Sequence, residues 1–109
     1  MMTLGENIAD NQGITMAYKA YRMWAKENGE ELPLVQLDYT PEQMFWISMA
    51  NVWCARLNDT MLKKLSKVDP HAPAKLRVIG MVSNQDTFAK DFQCPKGSPM
   101  NPRKKCTFD

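Results

Sequence analysis

The stretch LGENIADNQG, residues 4–13, sets Glu6 and Asp10 four positions apart at what reads as the opening of a helix. Side chains at i and i+4 share a helix face, and like charges there weaken an isolated helix by about 0.2–0.5 kcal/mol. Two readings account for the pair. In one, both carboxylates lie in the first turns, where negative charge complements the helix dipole. In the other, Glu6 ligates a metal and Asp10 accepts the N–H of a ligating histidine. Such a link fixes the imidazole tautomer and raises its basicity. A cation plus an imidazole then offsets both charges.

Outward from this stretch the chain reads as mainly helical. Between Gly5 and about Asn28, Ile8, Ile14, Ala17, Ala20, Tyr21 and Trp24 recur close to the 3.6-residue period. Glu27-Asn28-Gly29 supplies a stop, and residues 29–39 form a loop containing Pro33. Thr40-Pro41-Glu42-Gln43 is a strong helix start, with Thr40 as N-cap, Pro41 in first position and Gln43 completing a capping box. The helix it opens carries Phe45, Ile47, Met49, Val52 and Trp53 and is predicted to end near Arg56. It is apolar nearly all round, which implies burial on more than one side. A shorter helix is predicted over Asp59–Leu65. Asp69-Pro70-His71-Ala72-Pro73 cannot be regular helix. Residues 76–82 (LRVIGMV) fit either extended chain or a helical turn. A last helix is predicted from Ser83-Asn84 to Cys94 with Phe88 and Phe92 on one face, followed by an irregular tail. No internal repeat or domain boundary interrupts the 109 residues.

Composition narrows the class. At 44% hydrophobic residues the chain can build a core. A net charge of +2 gives no argument for nucleic acid, and the one basic cluster, Arg103-Lys104-Lys105, reads as a solvated end. No apolar run approaches a membrane span, and no secretory leader pattern stands at the N-terminus. The three cysteines, Cys54, Cys94 and Cys106, lack CxxC spacing, so zinc-ribbon and thioredoxin-like readings have no support. Their odd number leaves at least one thiol free or paired outside the chain. With the sequon Asn58-Asp59-Thr60, a candidate N-glycosylation site, they point weakly to an oxidising, extracellular setting.

The wording of several blocks is more specific than any of this. GENIAD followed by GITMAYKAY (residues 5–10 and 13–21) resembles the neprilysin and endothelin-converting enzyme family of zinc metallopeptidases. So do residues 28–54 (NGEELPLVQLDYTPEQMFWISMANVWC), 68–94 (VDPHAPAKLRVIGMVSNQDTFAKDFQC) and 100–106 (MNPRKKC). The likeness runs in order over essentially the whole chain.

The resemblance implies a mainly α fold, the C-terminal helical portion of a zincin-type catalytic domain, incomplete as a stand-alone unit. Residues 1–109 would be one piece of that domain, its upstream half lying elsewhere. By the same resemblance Glu6 is the third ligand of one zinc ion and Asp10 the carboxylate behind a ligating histidine. His71 donates to the oxyanion of the tetrahedral intermediate, Asp69 orients that imidazole, and Arg77 binds a substrate backbone carbonyl. A fixed donor aimed at developing charge suits the first of these, and a loop held by Pro70 and Pro73 suits the donor. Read without the family, His71 is a surface-loop residue. The family pattern also pairs Cys54, Cys94 and Cys106 with cysteines in other parts of the ectodomain. It implies peptide substrates and an extracellular or cell-surface location, with any membrane anchor far upstream.

Two departures qualify the likeness. Zincins need an H-E-x-x-H helix, and the single histidine here, His71, is in no such motif. One carboxylate cannot hold zinc, so the isolated chain is expected to bind no metal and to be inactive. Family members typically end Cys-x-x-Trp, whereas this chain ends Cys106-Thr107-Phe108-Asp109. The alternative function is therefore a non-catalytic truncated paralogue, an interaction or decoy protein that has lost the metal site.

Overall fold

The computed structural model describes residues 2–106; the Thr107-Phe108-Asp109 ending lies outside them. Five helices follow in order: α1 (Leu4–Asn28), α2 (Pro41–Val52), α3 (Asp59–Val68), α4 (Ala74–Asn84) and α5 (Asp86–Asp91). No strand occurs among the described residues.

Helix α1 is 25 residues long, about 37 Å at 1.5 Å per residue. It stops at Gly29, whose φ of 95° is open to glycine at little cost and whose N–H closes on the Ala25 carbonyl at 2.8 Å. The capping box at α2 forms in full. The Thr40 hydroxyl accepts from the Gln43 N–H, and the Gln43 side chain accepts from the Thr40 N–H. Helix α2 ends at Val52, four residues before the position that periodicity predicts, because Trp53 and Cys54 close on Ala50 and Asn51 in tight turns. Asn58 caps α3, its Oδ1 accepting from Met61 N–H at 2.8 Å.

The undecided segment 76–82 is helical. Pro73 leaves its carbonyl to accept from both Leu76 and Arg77, and the turn so started carries on to Asn84. Ser83 and Asn84 therefore finish α4 rather than open the last helix. Gln85, extended at ψ 119°, separates the two, and α5 is shorter than the predicted segment. The tail beyond Cys94 is built of turns.

The core is small and aromatic. Ile14, Tyr18, Trp46, Met81 and Val82 are buried together, with Phe45, Phe88 and Phe92 against them. Trp46, 1% exposed, lies stacked on Tyr18 at 4.8 Å and edge-on to Phe88 at 5.7 Å. Its indole N–H and the Tyr18 hydroxyl donate to the same oxygen, Asp91 Oδ2, at 2.8 and 2.7 Å. Gln43 adds a bond to the Asp91 carbonyl at 2.9 Å. One residue of α5 thus ties α1 and α2 together. Burial first, then the bond to Asp91, pushes the Tyr18 phenol well above its ordinary value.

The surface is large for the mass. The accessible area is 8301 Å², where about 6,200 Å² is usual for 12.5 kDa. The radius of gyration is 15.5 Å, against about 13 Å for a compact domain of this length. Leu32 and Val35 in the 29–40 loop are each 88% exposed, and Met16, Met23 and Trp24 line the outer face of α1. On helix α2, predicted to be buried on more than one side, Trp46 is fully buried, Met44, Phe45, Ile47 and Met49 are partly covered, and Val52 is exposed.

Candidate active site

The N-terminal turns of α1 and α4 lie side by side, with the 69–73 loop across their ends. Asp69 is the C-cap of α3, extended as the following proline demands. Its Oδ1 accepts from the His71 backbone N–H at 2.9 Å and meets His71 Nδ1 at 2.7 Å. These two contacts, the backbone one foremost, hold the Asp69 carboxyl below its ordinary value. The other ring nitrogen, His71 Nε2, lies 3.2 Å from Glu6 Oε2. Each nitrogen faces a carboxylate oxygen, so a ring protonated on both makes both contacts as a donor. Glu6 and His71 are nearly half exposed, open to whatever occupies the cleft.

One turn deeper, Arg77 grips Asp10. Nε and Nη2 donate to the two carboxylate oxygens, each at 2.6 Å, and both side chains are about one-tenth exposed (11% and 12%). This bidentate pair raises the Arg77 guanidinium further above its already high value. The guanidinium carbon sits 3.9 Å from the centre of the Trp53 ring, a cation–π contact. Two of five N–H donors are used on Asp10, leaving three. Asp10 keeps a further lone pair on each oxygen, so the pair with Arg77 does not exhaust it.

Arg77 and Ala72 stand between two cavities. One of about 240 Å³ is lined by Trp53, Leu62, Leu65, His71 and Arg77 among others. The other, about 430 Å³, lies along α1 and α4 and is lined by Asp10, Asn11, Asn84 and Cys106 among others.

The five residues singled out for chemistry, Glu6, Asp10, Asp69, His71 and Arg77, thus come together. The remaining candidates lie apart from them or at the margin. Cys54 is exposed just beyond α2, Cys94 is half-buried after α5, and Cys106 is exposed at the rim of the larger cavity; no disulfide joins the three. Asn58 is exposed at the start of α3 and uses Oδ1 for its cap, not the Nδ2 that a glycan would bond.

Zinc is not held by this donor set alone. It takes four ligands, and among the described residues no group of three His, Cys, Asp or Glu side chains is disposed to hold an ion. Both His71 nitrogens are directed at carboxylates as hydrogen-bond partners. Glu6, 44% exposed and held among the described residues only by the His71 contact at 3.2 Å, keeps oxygen lone pairs open to a further partner.

Three contributors escape the motif reading: Trp53 beneath Arg77, and the Asn11–Asn84 pair beside Asp10, whose side chains meet at 3.0 Å. Helical spacing is the signal that would have found the second, since Arg77, Met81 and Asn84 share a face once 76–82 is helix.

The chain matches known proteins over nearly its whole length. The model of peptidase family M13 matches residues 1–108. The chain is 53% identical to Neprilysin-2 of Drosophila melanogaster over 104 residues, covering 95% of this chain and 13% of that protein. It is 51% identical to the endothelin-converting enzyme homolog of Locusta migratoria, covering 95% and 14%. The solved Haemonchus galactose containing glycoprotein complex superimposes with a TM-score of 0.91 at 40% identity, covering 97% of this chain and 19% of that one. The chain belongs to peptidase family M13. It spans about one-seventh of the length of these curated relatives, 13–14%.

Proposed function

We propose that this chain is the C-terminal part of a zinc metalloendopeptidase domain, contributing one metal ligand and the loop that stabilises the oxyanion in peptide-bond hydrolysis. The observation that carries the proposal is the convergence of Glu6, His71, Asp69, Asp10 and Arg77 at one end of the α1–α4 seam. In this reading Glu6 ligates the zinc, and histidines of an upstream H-E-x-x-H helix supply the rest of the donor set. The bound ion would polarise the scissile carbonyl and lower the pKa of a water molecule. Asp10 would accept the N–H of a ligating histidine on a lone pair that Arg77 leaves free. His71, fixed by Asp69, would donate from Nε2 to the oxygen that becomes negative. Arg77, held on Trp53 with donors to spare, would bind a backbone carbonyl of the peptide. The substrate class is peptides, with no role for nucleic acid.

Cys54, Cys94 and Cys106 would bond to cysteines upstream, and Asn58 would carry a glycan. Both fit an extracellular or cell-surface location. No helix among the described residues is long and apolar enough to cross a membrane, so an anchor would have to lie elsewhere.

The alternative, a non-catalytic relative that keeps the helices without the metal, rests on the lone carboxylate ligand. One experiment separates the two. In the full-length protein, Glu6→Gln should abolish zinc retention, while His71→Ala should keep zinc and cut turnover by about 100- to 1,000-fold. A full-length protein with no zinc and no peptidase activity before mutation would leave the non-catalytic reading standing.

A further inference from the structure

Asn11 is the one buried polar residue of the described core, 6% exposed, and the metal-site reading gives it no task. Its Nδ2 donates to the Asn7 carbonyl at 2.8 Å, and its Oδ1 accepts from Asn84 Nδ2 at 3.0 Å. Asn84 in turn accepts, on Oδ1, the backbone N–H of Cys106 at 3.1 Å. The direction of this chain is dictated from both ends. Cys106 N–H can only donate, so Asn84 must turn its amide nitrogen toward Asn11. Asn11 must then present its oxygen, and its own nitrogen finds the Asn7 carbonyl, which can only accept. Each amide is used once in each sense, with no slack for a flipped arrangement.

The relay begins and ends at telling places. Asn11 follows Asp10 directly and lies five residues from Glu6 on one rigid helix. Cys106 lies in the C-terminal segment, which has no helix of its own to hold it beside α4. Further along the same seam the Thr15 hydroxyl lies 3.2 Å from Gln85 Oε1, but its single proton is shared with the Asn11 carbonyl at 2.8 Å. The Asp10–Arg77 pair runs through a long arginine side chain, whereas the Asn84 amide is short and used in both senses.

We propose that Asn84 is a positioning residue for the active-site helix. Through Asn11 it sets the rotation of α1, and hence the aim of Glu6 and Asp10, and through the Cys106 amide it makes that setting depend on the docked C-terminal segment. The proposal rests on the reading of Glu6 as a zinc ligand for its catalytic consequence, and on the relay alone for its structural one.

The test compares Asn84→Ala with Asn84→Asp in the full-length protein. Alanine removes both links. Aspartate keeps the acceptor for the Cys106 amide and loses the donor to Asn11, so it should hold the tail and free the helix. Amide hydrogen exchange over residues 5–12 should speed up about tenfold in both variants, while exchange at Cys106 speeds up only in Asn84→Ala. Zinc loss to a competing chelator should become about 10- to 100-fold easier in both, the usual result of losing a residue that orients a ligand. Peptide turnover per zinc-loaded molecule should fall through kcat with KM nearly unchanged; normalising to bound zinc removes the loss of active fraction that general destabilisation produces. Asn84→Asp matching wild type in exchange over residues 5–12 and in zinc retention would reduce Asn84 to a tail tether and overturn the proposal. If Asn84→Ala fails to fold, Asn84→Asp decides by itself. Wild-type protein that holds no zinc would defeat the metallopeptidase reading instead, and the relay would then stand or fall on the exchange pattern.

Discussion

Arg77→Ala should loosen the α1–α4 seam by about 3 kcal/mol. Asp10 is only about one-eighth exposed (12%) and has no other cationic partner among the described residues. Removing one member of a buried charge pair ordinarily costs about 3–5 kcal/mol, most of it the desolvation of the charge left behind. The stacking of the guanidinium on Trp53, centred at 3.9 Å, contributes about 0.5–2 kcal/mol more. Against these, the pair borders two cavities through which water reaches the orphaned carboxylate, which favours the low end of the range. Arg77→Lys should recover part of the loss, since an ammonium supplies charge without the two-pronged fit. The double variant Asp10→Leu/Arg77→Met should cost no more than about 1 kcal/mol, because no buried charge remains, giving a coupling of about 2 kcal/mol or more between the sites. Native-state hydrogen exchange of α1 and α4 amides reads these opening free energies directly in the full-length protein. Additive single and double variants, with coupling below about 0.5 kcal/mol, would show that the pair merely touches and does not hold the seam.

Three further outcomes are expected. Asp91→Leu strips the acceptor from both the Tyr18 hydroxyl and the Trp46 indole, at about 1–3 kcal/mol for each buried donor left unpaired. Asp91→Asn keeps an acceptor oxygen and should cost far less, and equal urea midpoints for the two would refute the shared-acceptor account. Acidification should release the 69–73 loop only below about pH 4. The folded-state value of Asp69 is lowered by its bonds to His71, so its contribution is intact above the unfolded value and disappears as pH falls through the folded one. Loosening of the loop already at pH 6, seen by hydrogen exchange, would contradict that pH window and the assignment to Asp69. Asn58→Asp should abolish a glycan on secreted protein while keeping the α3 cap, whereas Asn58→Ala should lose both, at about 1 kcal/mol for the cap. An unchanged mass in Asn58→Asp would show that the sequon is not used.

The parts of the fold written in local chemistry were legible in advance. Thr40-Pro41-Glu42-Gln43 states a helix start in four residues, and Asn28-Gly29 states a stop, because caps depend on near neighbours alone. Segment 76–82 was not legible. Its β-branched Val78, Ile79 and Val82 suit extended chain, and what overrides them is tertiary: Met81 and Val82 are buried against α1 and Trp46, which a helix satisfies together with Arg77. The break at Gln85 was missed for the same reason, since Phe88 and Phe92 continue an acceptable helical period across it. The chemistry divides along the same line. Glu6, Asp10, His71 and Arg77 stand in recognisable words. Asn84, Trp53 and Asp91 act through partners 73, 24 and 73 positions away or at similar range, and no spacing along the chain announces such contacts.

The order of contacts along the α1–α4 seam explains why so small a core can hold so demanding a site. Glu6 meets His71, Asp10 meets Arg77, Asn11 meets Asn84 and Thr15 meets Gln85, the partners following in chain order along α1 and along the stretch from the 69–73 loop through α4 to Gln85. Beyond them Ile14 and Tyr18 enter the aromatic cluster with Met81 and Val82. Hydrophobic contact is non-directional and would let α1 roll or slide by a fraction of a turn. Hydrogen-bonded pairs are directional and fix what burial leaves free. Apolar packing at one end therefore supplies the adhesion, and the polar ladder at the other supplies the aim. The metal ligand proposed at Glu6, on the first turn of a 25-residue helix, would need both, because a rotation of 20° about an axis carries a side-chain atom about 6 Å out through roughly 2 Å, far more than the 0.2 Å tolerance of a metal–ligand bond.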